Sequence, residues 1–448
     1  MARIGFGARG TSPIPRTDRL DADLDQRIGL SGFAARRCAA LWHDCTVNTP
    51  KRVRVQALSE RGTVSQLELF FDLVFVFALT RVTDLLADNT SAANVFRSIL
   101  VLAVLWWSWV GYAWLGNLAR ADEGIVKVAV FAAMGASFII ALALPEAFDD
   151  LPGGLSGPVV FAIGYFVVRA VHISIFWVIG KDEPRFRRTV LRWLPSLAIS
   201  TTLLLIASQT TGTVQTLLWV GALAGDYLGT VFAGNGWILR SVTHFAERHG
   251  LIIIVALGES IVSIGIGVVS LPISWAIIVA SLLGLAVSAL MWWAYFDVTA
   301  LAVEHELDKA GGALQIKIAR NSYSFAHLPM IVGVIGLSLG LKKVLSYVGD
   351  DTEHDLTDAL YGVPIFTLFG GVALYIAALV FFKWYAVRTI AVSRVVTIVV
   401  LLALIPVAAA LPALASLGLL TAVLAVMIAF ETTRFAQMRD EIRHHEAH

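Results

Sequence analysis

The sequence predicts an all-α polytopic membrane protein of about twelve transmembrane helices, and three observations predict it. The 448-residue chain is 57% hydrophobic and only 15% charged, with a mean hydropathy of +0.76, more apolar surface than one soluble core can bury. Apolar stretches of roughly 20 residues, the length a helix needs to cross a hydrocarbon core of about 30 Å, recur from residue 64 to residue 430. Short segments of alternating polarity, the signature of a transmembrane barrel, do not occur.

The predicted spans are 64–87, 95–116, 125–144, 159–180, 190–208, 214–233, 250–269, 273–296, 323–341, 363–384, 390–409 and 414–430. Pro152, Gly153 and Gly154 break the third connection, and Gly311 and Gly312 the eighth. Lys and Arg crowd alternate connections: Arg120 and Lys127, then Lys181, Arg185, Arg187, Arg188 and Arg192, then Arg240 and Arg248, then Lys309, Lys317 and Arg320, then Lys383, Arg388 and Arg394. The intervening connections hold Arg97, Lys342 and Lys343, or acids such as Asp149 and Asp150. By the positive-inside rule both termini are cytoplasmic. A bias that survives the whole chain requires an even number of spans.

Residues 1–60 are polar and Arg-rich with no sustained apolar face, and read as a disordered cytoplasmic extension or as sequence upstream of the true start. The first apolar run lies beyond residue 60, so no cleavable signal peptide is expected. Residues 434–448 form a charged cytoplasmic tail. Cys38 and Cys45 are too few for a disulfide framework and lack the histidines of a zinc site. No basic tract with interleaved aromatics points to nucleic acid, and no cofactor fingerprint is present.

An acid-bearing apolar helix occurs twice. Glu68 and Asp72 sit in Leu67-Glu68-Leu69-Phe70-Phe71-Asp72-Leu73-Val74-Phe75, and Glu247, Arg248 and His249 lead into a run that carries Glu259. Trp106, Trp107 and Trp109 are echoed by Trp292, Trp293 and Tyr295, each one helix later. Two parallel six-helix repeats follow as the expectation, over 61–240 and 241–433, related by an axis along the membrane normal.

Carboxylates inside membrane-length apolar runs cost a few kcal/mol or more unless paired, protonated or facing water, so they mark functional candidates. Glu68 and Asp72, four residues apart, share one helix face. Glu68 also suits the helix N-terminus, where a carboxylate is favoured. Glu259 lies deep between Gly258 and Ser260, small neighbours that let another helix approach. Arg169 and His172 lie mid-span, and the guanidinium calls for Asp72, Asp226 or Glu259 as its partner. Asp297 closes the eighth span at the level of an aromatic belt, and His327 opens the ninth. His244 and His249 are five apart and do not share a face as a zincin helix requires, so no metal site is expected.

These motifs, together with Ala143-Leu144-Pro145-Glu146-Ala147-Phe148, Trp292-Trp293-Ala294-Tyr295-Phe296-Asp297 and Tyr323-Ser324-Phe325-Ala326-His327-Leu328-Pro329, resemble the bacterial low temperature requirement protein A family. The resemblance begins near residue 60 and leaves residues 1–55 outside. It implies a multi-pass bacterial membrane protein but no reaction or substrate. Phe70, Asp72, Val74 and Phe75 are more faintly similar to the Phe-Ser-Asp motif of potassium channels with six-span repeats, although Phe71 replaces the Ser.

The expected activity is a transporter or channel in which Glu68, Asp72, Arg169, His172, Asp226 and Glu259 line a proton or cation path. Glu247, Arg248, His249, Asp297 and His327 are secondary candidates. Its partners are the lipid bilayer and a small solute or ion, and a homo-oligomer is compatible. Two alternatives stand beside it: a membrane enzyme using His244, Glu247, Arg248 and His249 at the cytoplasmic face, and a scaffold with statically paired acids.

Overall fold

Ser and Pro set where the helices begin. Ser65, Ser91, Ser241 and Ser274 each cap a helix by accepting a backbone N–H three residues on, and Pro stands in the first turn of four others. The computed structural model describes residues 56–59, 62–232, 237–269, 271–350 and 352–434. The chain divides into Met1–Arg54, which lies outside them, and Val55–His448, to which everything below belongs. Residues 1–55 of the expected N-terminal extension, Cys38, Cys45 and nearly all of the C-terminal tail therefore fall outside the described residues, whereas Ala57 of that extension bridges to Ala119.

In chain order the helices are α1 Gln66–Asp88, α2 Ala92–Leu118, α3 Gly124–Ala143, α4 Gly157–Ile179, α5 Pro184–Leu191, α6 Leu194–Ala207, α7 Gly212–Phe232, α8 Val242–Val268, α9 Trp275–Phe296, α10 Thr299–Lys309, α11 Gly312–Ile318, α12 His327–Gly349, α13 Val363–Val387, α14 Val392–Ala408 and α15 Ala413–Arg434. Every predicted span falls on one of these helices. Among the described residues no named strand occurs, only two isolated bridges. Among the described residues, nine helical stretches are long and apolar enough to cross a membrane. The three remaining candidates are α1, with its charges, α7, with Gln215 and Asp226, and the 17-residue α14.

Packing follows a pattern. In the first part of the chain α1 packs on α2 and α3, α3 on α4, α4 on α6, α6 on α7, and α7 on α2. In the second, α8 packs on α9 and α12, α12 on α13, α13 on α14, α14 on α15, and α15 on α9. The closest approach is between α12 and α13. A Cβ on Gly333 would stand 2.5 Å from the Gly371 carbonyl, and one on Gly340 would meet Leu368 at 2.7 Å. Small residues there let two backbones touch, which is how helices associate where lipid removes the hydrophobic drive.

The predicted ninth span lies within a longer helical stretch, Gly312–Gly349, whose helix type changes along its length. Ala319–Phe325 is π-helical and α12 opens at His327; wide turns of this kind recur at functional sites. Ahead of the fifth span the basic stretch folds as the separate α5, and the apolar stretch as a whole runs from Phe186 to Ala207.

Candidate functional site

α1 and α8 lie against each other and run in the same direction, because Glu68 faces His244 and Arg248 while Thr80, twelve residues on, faces Glu259. At the starting end Ser65 and Glu68 form a capping box, with one Glu68 oxygen taking the Ser65 N–H and hydroxyl, both at 2.9 Å. Its other oxygen lies 3.1 Å from His244 Nε2 and 3.8 Å from Arg248 Nε. Glu68 is thus at a helix N-terminus, as expected, yet it is buried and paired. Gly116 makes room for it, since a Cβ there would collide with Glu68 Oε1.

One turn deeper, Asp72 is almost fully buried and holds two strong donors. Arg248 Nη1 donates at 2.6 Å and Trp109 Nε1 at 2.8 Å. The same Nη1 also reaches the Glu68 carbonyl at 3.0 Å, and the guanidinium lies 5.3 Å from the centre of the Trp109 ring. Two carboxylates against one guanidinium leave a unit negative charge that His244 balances when it carries a proton. This converts the cost of four buried charged or titratable groups into one matched set.

From Arg248 a file of imidazoles and phenols continues inward. His249 Nδ1 donates to the Phe245 carbonyl at 2.8 Å, and its ring sits 5.1 Å from His327 and 5.3 Å from Tyr323. His327 Nδ1 faces the Ser322 carbonyl at 3.3 Å, a contact the π-helical turn provides, so Nε2 accepts from the Tyr295 hydroxyl at 2.9 Å. The tryptophans of α2 hold this region: Trp106 donates to the Ser324 carbonyl and Trp114 to the Ser324 hydroxyl. His244 Nδ1, His249 Nε2 and the Tyr323 hydroxyl are buried with no partner among the described residues.

Arg169 pairs with Asp226, at 3.4 Å, and not with Asp72 or Glu259. Ser196 donates to the same Asp226 oxygen at 2.7 Å. His172, one turn from Arg169, donates Nε2–H to the Gly111 carbonyl at 3.1 Å. The six primary candidates therefore separate: Glu68 and Asp72 in one cluster, Arg169 and Asp226 in a second with His172 beside it, and Glu259 in a third.

Glu259 is surrounded by hydroxyls. Thr80 Oγ1 lies 2.5 Å from Oε2, Ser263 donates to Oε1 at 2.9 Å, and Thr83 is a further hydrogen-bond neighbour. No cation pairs with Glu259 among the described residues. Thr80 Oγ1 is also 3.1 Å from the Val76 carbonyl. Both contacts are made as separate two-centre hydrogen bonds when the Glu259 carboxyl bears a proton and donates it to Thr80. Toward the far end of α1, Asp84 is paired with Lys342 at 3.0 Å and half-exposed.

Among the secondary candidates, Arg248, His249 and His327 join the buried network. Glu247 is exposed and accepts from the Val64 N–H at 3.0 Å. Asp297 is the C-cap of α9 and lines a separate cavity. A polar vestibule of about 850 Å³ opens beside Ser59, Ser65, Glu68, Arg120 and Lys127. Below it, a void of about 10 Å³ touches Glu68, Tyr112 and Arg248, room for about one water. No group of three metal-capable side chains occurs among the described residues.

Sequence reasoning did not assign chemistry to Trp109, Tyr295 or Tyr323. Their only signal was membership of aromatic motifs, which carries no information about which acid or histidine an indole or phenol will meet.

The family model for bacterial low temperature requirement A protein matches residues 63–429. An uncharacterized protein of Rhizobium meliloti (strain 1021) is 29% identical over 380 residues, which is 80% of this chain and 87% of that protein. No solved structure matches. The matched region contains all three clusters, and the chain belongs to the bacterial low temperature requirement A family.

Proposed function

We propose that the protein is a proton-linked transporter or channel of the bacterial plasma membrane, with the path along the contact between α1 and α8. One observation carries this reading. α1 presents titratable side chains to α8 at its beginning, Glu68 and Asp72, and hydroxyls to Glu259 further on. Between Asp72 and Thr80 lie about 12 Å of helix whose buried side chains, Phe75, Ala78 and Leu79, are apolar. The polar vestibule reaches the first cluster, and the half-exposed Asp84–Lys342 pair lies beyond the second. Ionisable groups in such a line, at membrane depth, are characteristic of proton and ion pathways. The imidazoles of His249 and His327 extend the first cluster from Arg248.

The proposed architecture has twelve spans, two parallel six-helix repeats and cytoplasmic termini. Six helix pairings recur in the same order in both halves, and α1 and α8 point the same way. A side-chain pair recurs too: Ser196 donates to Asp226 and Ser393 to Glu431, each at 2.7 Å, from the fifth helix of a half to its sixth. The tryptophan echo is weaker support, since Trp106 and Trp107 are buried whereas Trp292 and Trp293 are exposed. The enzyme alternative gains nothing from the geometry, because His244, Arg248 and His249 are at most 1% exposed.

Purified protein in proteoliposomes tests the reading. An imposed pH gradient, screened with K⁺, Na⁺ and neither, should dissipate faster than in protein-free vesicles. Identical decay under every condition would sink it.

A further inference from the structure

Away from the α1–α8 contact, two cavities meet at the start of α14. One, of about 340 Å³, lies where the ends of α9, α13 and α15 approach, and is lined by Asp297, Lys383, Arg394 and Glu431. The other, of about 810 Å³, is a groove between α14 and α15 lined by Val396, Val400, Val426 and Phe430, with Arg434 at its end. Ile390 and Ala391 border both. A polar chamber that continues into an apolar furrow has the shape of an amphiphile.

The charges single out one side chain. Arg394 is fully engaged: Nε and Nη2 grip Glu431, Nη2 also reaches the Ala294 carbonyl, and Nη1 reaches Thr299, all four contacts at 3.0–3.1 Å. Glu431 is engaged in turn by Arg394 and by Ser393 at 2.7 Å. Lys383 faces the same chamber and makes no ion pair or hydrogen bond among the described residues. Once Arg394 and Glu431 cancel, Lys383 and Arg434 stand against Asp297. The excess of a single positive charge complements one phosphodiester.

We propose that this paired cavity binds one phospholipid of net negative charge, its phosphate on Lys383 and an acyl chain in the groove between α14 and α15. Val426 and Phe430 are 70% and 52% exposed, the apolar surface such a chain would cover. An ammonium near a phosphate contributes about fivefold in affinity. The site shares no residue with the path proposed above.

The test uses the full chain in neutral detergent, titrated with dioleoylphosphatidylglycerol or dioleoylphosphatidylcholine and read by native mass spectrometry. The wild type should prefer the anionic lipid by about fivefold, Lys383→Gln should bind both lipids equally, and Val426→Trp, at an exposed position, should lose both. Unchanged preference in Lys383→Gln, or wild-type binding in Val426→Trp, overturns the site. Displacement of the lipid by millimolar inorganic phosphate overturns it in favour of a soluble anion.

Discussion

The acids of α1 and the acid of α8 solve the same problem in opposite ways. Glu68 and Asp72 are held by Arg248, His244 and Trp109, a set in which charge meets charge. Glu259, equally buried, meets only hydroxyls. A matched ion cluster is rigid, because removing one member strands another buried charge. A carboxyl among hydroxyls can lose or gain a proton by rotating O–H groups, with no charged partner left behind. In the proposed pathway the first region holds the helix pair together and the second carries the proton step.

Breaking the matched set should have the largest effect. Arg248→Met leaves Glu68 and Asp72 without their guanidinium, at a cost of about 3–5 kcal/mol, measurable as lost thermal stability in detergent. Adding Asp72→Asn to that variant should recover part of the loss. A double variant no more stable than Arg248→Met alone would show that the two side chains are not coupled.

Next comes Gly116→Ala, whose Cβ would collide with Glu68 Oε1. Overpacking of this kind costs about 1–3 kcal/mol. Gly135, whose Cβ would meet nothing within 4 Å, is the control, and Gly135→Ala should melt with the wild type. Smaller still is Tyr295→Phe, which removes one hydrogen bond to His327 and should cost about 0.6 kcal/mol, the mean for such bonds between membrane helices.

How much of this was legible in the chain depends on the range of the interaction. The helical, membrane-length character of the apolar runs was readable because it is a local property, and the shared face of Glu68 and Asp72 follows from a spacing of four. The repeat was visible only as an echo of acids and aromatics. Arg248 as the partner of Asp72 was not legible, since 176 residues separate them and only helix packing brings them together. Arg169 drew three candidate acids from sequence, and the contacts between α4, α6 and α7 select Asp226. The expectation of one path through six residues gives way to three clusters, because Arg169 and Asp226 satisfy each other beside α2 and not at the α1–α8 contact.

A small expected effect on stability accompanies the largest expected effect on activity. In Glu259→Gln the amide oxygen still accepts from Ser263 and its N–H₂ can donate to Thr80, so unfolding should shift by no more than about 1 kcal/mol. Proton flux into proteoliposomes under an imposed pH gradient, at equal incorporated protein, is then the direct measurement. Flux reduced to the level of protein-free vesicles in Glu259→Gln, with wild-type thermal stability, is the predicted result. Wild-type flux in that variant would contradict the assignment of the proton step to Glu259.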